Sequence, residues 1–156
     1  MVAPSVLSND EPKGTPMATT KKKSYSGFSK AEQDAMKEHA KDLKSTQDPA
    51  VAQAEKIAGM ADADRVIAER LNELILEAAP ELSPKLWYGM PGWALNGKLI
   101  CFFQDAAKFK YRYATLGFSD KAQLDDGDMW PTSYALTQLT PALEKQIVAL
   151  VKKAIG

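Results

Sequence analysis

The chain has 156 residues, 45% of them hydrophobic and 26% charged, which suits one domain with a tail or at most two very small ones. Lys plus Arg and Asp plus Glu stand at 20 each, so net charge points to neither a nucleic-acid nor a membrane partner. The single cysteine, Cys101, excludes an intrachain disulfide, the single histidine, His39, excludes a Cys/His zinc cluster, and no apolar run approaches the roughly 20 residues that span a bilayer.

Met1 to Ser24 is rich in Pro, Ser, Thr and Lys and has no hydrophobic period, which reads as disorder. Met17 reads as a second start, and Lys21-Lys22-Lys23 as a solvated tail. No basic region followed by an apolar stretch marks a secretory signal, so a cytoplasmic location is expected. Ser29 and Glu32 have capping-box spacing, and Ala31, Ala35, Met36, Ala40 and Leu43 form a thin apolar stripe on a charged helix. Asp48-Pro49 interrupts it, and a weaker helix spans Ala50 to Ala58 before Gly59. Asp62 or Asp64 caps a firmer helix with Ile67, Leu71, Leu74, Ile75 and Ala78 on one face, which Pro80 stops.

From Lys85 the period changes. Leu86-Trp87-Tyr88 reads as a short strand, Gly89-Met90-Pro91-Gly92 as a bend, and Trp93-Ala94-Leu95 as extended chain. Asn96-Gly97 is a two-residue hairpin signal, returning through Leu99-Ile100-Cys101-Phe102-Phe103, a central strand covered on both sides. Strict alternation predicts a strand from Lys108 to Thr115. Phe109, Tyr111 and Tyr113 then face the core, and Lys108, Lys110 and Arg112 the other side. Gly117 to Asp128 is a connection with a helical turn near Lys121. Thr132 to Leu136 is a last strand, and Thr140-Pro141 caps a final helix lined by Leu143, Ile147, Leu150 and Val151.

Segregated helices and strands indicate an α+β fold: two layers, with an antiparallel sheet of four to five strands flanked by N-terminal and C-terminal helices. The expected organisation is a disordered tail over 1–26, a charged helical segment over 27–60 and the α+β domain over 61–156.

The run Trp87-Tyr88-Gly89-Met90-Pro91, followed by Asn96-Gly97-Lys98-Leu99-Ile100-Cys101-Phe102-Phe103, resembles the signature of the YdhG-like (DUF1801) family. Trp130-Pro131-Thr132-Ser133-Tyr134-Ala135-Leu136 and Gly27-Phe28-Ser29 are similar to elements of one branch of it. The resemblance covers roughly Asp64 to Ile155 and implies a two-layer α+β domain. Some members are labelled intracellular iron chaperones of frataxin-like type, which implies weakly bound iron as cargo and an iron-acceptor protein as partner. It supplies no catalytic residue set. A monomer or weak homo-oligomer, without nucleic acid or membrane, is the expected state.

Iron delivery needs hard, accessible oxygen ligands. Glu69, Glu73 and Glu77 stand at i, i+4 and i+8 on one helical stripe, where a cation would relieve their repulsion; the competing reading is a solvated face balanced by Arg65 and Arg70. Asp125, Asp126 and Asp128 around Gly127 form a second candidate grip for a divalent ion, although their spacing does not match an EF-hand; the competing reading is a turn that happens to be acidic.

The predicted cationic strand keeps aromatics and cations on opposite faces, unlike an RNA-binding sheet. Cys101 in an apolar strand reads as packing, and His39 as a surface residue. Trp87, Tyr88, Met90, Trp93 and Trp130 concentrate large apolar groups near glycines and a proline. They read either as a ligand or partner surface, or as a core corner. The functional expectation is therefore a non-catalytic carrier or binding domain, with an iron chaperone as the leading form. The alternative is a small-ligand or protein-binding module using the corner Trp87 to Trp93.

Overall fold

The computed structural model describes residues 29–44 and 47–156, the side chains of 41–44 excepted. The tail expected over 1–26, with Met17 and Lys21-Lys22-Lys23, lies outside the described residues, as does Gly27-Phe28. The chain divides into two compact units, Met1–Asp34 and Ala35–Gly156. In the first, the described part opens α1 (Lys30–Lys44) with the expected capping box. Ser29 Oγ accepts from the Glu32 amide at 3.1 Å, and Glu32 Oε1 accepts from the Ser29 amide at 2.9 Å.

The second unit carries α2 (Pro49–Ala58), α3 (Asp62–Ala78), β1 (Ser83–Trp87), β2 (Met90–Leu95), β3 (Lys98–Gln104), α4 (Ala106–Phe109), β4 (Ala114–Phe118), β5 (Ser133–Leu136) and α5 (Pro141–Ile155). The strands form one antiparallel sheet in the order β1-β2-β3-β4-β5. This is the expected α+β class, with an open sheet of five strands. No helix among the described residues is long and apolar enough to cross a membrane.

Two tight hairpins set the first three strands. Asn96 and Gly97 have φ of 52° and 81° between the paired Leu95 and Lys98, the double positive φ of a type I′ turn. Tyr88 and Gly89 repeat the pattern, with φ of 52° and 75° between the paired Trp87 and Met90. This corrects two expectations. Tyr88 is a turn residue, not a strand residue, and Met90-Pro91-Gly92 lies in β2, not in a bend.

The larger correction is at Lys108–Thr115. Instead of a strand, Ala106–Phe109 forms one helical turn, closed by Lys110 in the left-handed region at φ 60°. The turn is held from afar: Asp64 Oδ2 accepts from the Ala107 amide at 2.9 Å. Strand β4 begins only at Ala114. Tyr111 is therefore 51% exposed rather than core, and no cationic sheet face forms.

The core lies on one face of the sheet. Trp93, Cys101, Phe103, Leu116, Phe118 and Leu136 cluster there with Ile67, Leu71 and Ile75 of α3 and Ile147, Val151 and Ala154 of α5. The register shifts between Trp93, which pairs with Cys101, and Ala94, which pairs with Leu99. The extra residue is Ile100, and this β-bulge lets Ile100 and Cys101 both join the core. Strand β3 is central, as expected, but its outward Leu99, Phe102 and Gln104 remain half-buried instead of covered.

Two glycines allow close packing on the outward side, where a side chain would force a neighbour to shift. A Cβ on Gly117 would lie 2.3 Å from Phe102 Cζ, and one on Gly92 would lie 2.7 Å from Leu99 Cδ1. Helix α2 lies against β1 and β2. Its Gln53, 1% exposed, donates through Nε2 to the carbonyls of Gly92 (2.7 Å) and Lys85 (3.3 Å).

Candidate functional site

The β1–β2 hairpin tip is where the sequence and the fold concentrate chemistry. Tyr88, placed at positive φ by the turn, stacks on His39 of α1 with ring centroids 3.9 Å apart and 14° between planes. Trp87 meets Tyr88 edge-on at 4.8 Å and contacts Phe102 at 4.8 Å. The four rings make one continuous row, His39–Tyr88–Trp87–Phe102, and each of these residues is half-buried. Aromatic contacts of this kind contribute about 0.5–1.5 kcal/mol beyond burial. The Nδ1 atom of His39 is buried without a hydrogen-bond partner.

Beside the row stands a charge bridge. The Glu38 carboxylate accepts from both Lys56 Nζ of α2 and Lys108 Nζ of α4. Burial alone would raise its pKa, but the hydrogen bonds and charges of Lys108 and Lys56 outweigh that and hold it below the ordinary 4.5. The carboxylate sits over Gly89, where a Cβ would lie 2.7 Å from its Cδ and Oε1. The positive φ favours glycine at 89, and a Cβ there would also force the Glu38 carboxylate to shift. Behind the lysines, Asp64 and Asp105 are buried at 5% and 6% exposure. Burial, with the Asp64 charge adding to it, pushes the Asp105 carboxyl above its usual 3.8.

The expected surface set is divided by the sheet. Trp87 and Tyr88 belong to the row. Trp93 is fully buried in the core, its indole N–H donating to Asn72 Oδ1 at 3.0 Å, so its place in the partner surface is corrected to a core role. Met90 is also buried, at 7% exposure, and Trp130 packs half-buried against the core cluster. Sequence reasoning missed Glu38, His39, Lys56, Lys108 and Phe102. Glu38 and His39 read as part of a solvated helix, and only their meeting with Tyr88-Gly89, some 50 positions away, makes them a site.

The acidic candidates lie elsewhere. Glu69, Glu73 and Glu77 are exposed along α3, with Glu73 accepting from Arg70 Nη1 at 2.9 Å. Arg70 also makes a bidentate pair with Glu144 of α5, at 3.0 and 2.9 Å. Asp125, Asp126 and Asp128 are exposed in the connection between β4 and β5. Among the described residues, no three or more His, Cys, Asp or Glu side chains converge as a metal site would need. The Cys101 thiol is fully buried, and burial pushes its pKa to about 12, which leaves almost no thiolate for nucleophilic work at neutral pH.

No family model, no curated protein and no solved structure matches this chain.

Proposed function

We propose that this chain is a non-catalytic binding domain whose recognition surface is the aromatic row Trp87, Tyr88 and Phe102, on which His39 stacks. The observation that carries this reading is the half-burial of four contacting rings on the side of the sheet away from the core. Rings needed only for packing are drawn inward, as Trp93 and Phe103 are at 0% exposure. A row of mutually tilted rings held by a type I′ turn offers an apolar surface at small ordering cost, suited to a ligand or peptide with a planar group. This reading moves the expected corner away from the buried Trp93 and toward Phe102.

The test is a ¹⁵N–¹H NMR titration with small planar probes, indole and benzoate among them. Shifts gathered at the Trp87 indole N–H and the amides of Tyr88 and Gly89 are expected. Shifts scattered over the surface, or none at millimolar probe, would overturn the reading. Delivery of iron by surface carboxylates is the competing form of a carrier. It requires ferrous iron to broaden signals at Glu69, Glu73 and Glu77 or at Asp125, Asp126 and Asp128 before any at the aromatic row.

A further inference from the structure

Glu38 and His39 occupy the hairpin tip as a ligand would. A carboxylate is gripped by two ammonium groups over a glycine that a Cβ would block, and the next residue's ring stacks face to face on Tyr88. The segment bearing them is lightly anchored: of the α1 side chains described, only Ala35 is buried, at 7% exposure, and Met36 is 40% exposed. The buried His39 Nδ1 has no hydrogen-bond partner there. By contrast the receiving side is fixed by the sheet, by α2 and by the Asp64-capped turn of α4.

We infer that the Lys56–Lys108–Gly89–Tyr88 tip is a binding site for an acidic–aromatic peptide segment of a partner protein, a glutamate or aspartate followed by a planar side chain, and that Glu38-His39 is an internal plug that such a segment displaces. The inference rests on the proposed binding role of the same row and names the class of ligand. A peptide is chosen over a free acid because the present occupant is itself a glutamate and a ring on adjacent residues of one backbone. Binding then requires release of α1 from the tip. The apparent affinity of the resting chain is reduced by the fraction of molecules in which the plug is out.

The experiment uses the full chain and three probes, acetyl-Glu-His-amide, acetyl-Gln-His-amide and acetate, in NMR titrations read at Gly89 and at the Trp87 indole. Glu38→Ala removes the internal carboxylate and should tighten binding of the Glu dipeptide by about tenfold or more, because the competent fraction rises. Glu38→Gln, which preserves the shape, should give a smaller gain in the same direction and guards against an unfolded alanine variant. Adding Lys108→Ala to either should abolish the gain, and the Gln dipeptide should show none. Equal affinity in wild type and both Glu38 variants overturns the inference, as does a gain that survives loss of Lys108. Acetate shifting the same signals as strongly as the Glu dipeptide would reduce the site to a simple anion pocket and also overturn it. If indole and benzoate still gather at Trp87 while these results fail, the plug is refuted and the binding surface stands. If those probes fail as well, both fall.

Discussion

The ring of Phe102 occupies the space that a side chain at position 117 would need. The two residues pair across β3 and β4, and a Cβ on Gly117 would lie 2.3 Å from Cζ and 2.6 Å from Cε1 of that ring. Gly117→Ala should therefore push Phe102 off its seat and cost about 1–3 kcal/mol, as overpacking does. Urea unfolding measures it. In the Phe102→Ala background the same glycine change should cost much less, and equal costs in both backgrounds would disprove the contact as the cause.

Gln53 ties α2 to the hairpin through the carbonyls of Gly92 and Lys85. Gln53→Leu should lower stability by about 1–3 kcal/mol, since the buried Gly92 carbonyl and the part-buried Lys85 carbonyl lose this donor. Amide hydrogen exchange would locate the damage, with faster exchange in α2 and β1 than in α5. Uniform acceleration would show that the bond does not act locally.

Two carboxylates near the tip should give opposite pH profiles. Glu38 has a lowered pKa in the folded chain, so its stabilisation is complete above about 4.5 and disappears as pH falls through the lower folded value. The stability gap between wild type and Glu38→Gln should be constant at neutral pH and close in acid. Asp105 has a raised pKa, so the folded chain holds its proton more tightly, and wild type loses stability as pH rises from 3.8 through the folded value. Asp105→Asn should thus be more stable than wild type at neutral pH, with the gap vanishing below about pH 3.8. Melting curves across this range decide both signs.

Lys110 closes α4 in the left-handed region with an exposed side chain, at φ 60°. A left-handed non-glycine residue costs about 1–2 kcal/mol, and glycine gives back about 0.5–1 kcal/mol in unfolded-chain entropy. Lys110→Gly should therefore leave stability unchanged or raise it by up to about 1 kcal/mol in denaturant titration. A clear loss would show that the lysine side chain holds something its position does not reveal.

Elements whose cause is local were legible in the sequence. Ser29 with Glu32, Thr140 with Pro141, Asn96 with Gly97 and Pro80 all act within a few residues, and the structure has the helix starts, the hairpin and the helix stop they predict. The failure at Lys108–Thr115 has a distant cause. Alternating aromatics and cations read as a strand, but the Asp64 carboxylate, 43 positions earlier, supplies a cap to Ala107 and stabilises a helical turn instead. At the tip, Trp87 and Tyr88 could be picked out by their company of glycines. Glu38 and His39 could not, because their partners at 56, 88, 89 and 108 come from three other elements, and an isolated charged helix shows the same pattern whether it is solvated or docked.

The bulge at Ile100 has a practical meaning beyond packing. By turning two consecutive side chains inward, it seals the chain's lone thiol beneath the sheet, where fraying at an edge or at the hairpin tip does not reach it. Cys101 is accordingly a native clock for the whole second unit. A thiol reagent can enter only when the core itself comes apart, so the rate of labelling reads out the rarest and largest opening of the molecule, with no probe added.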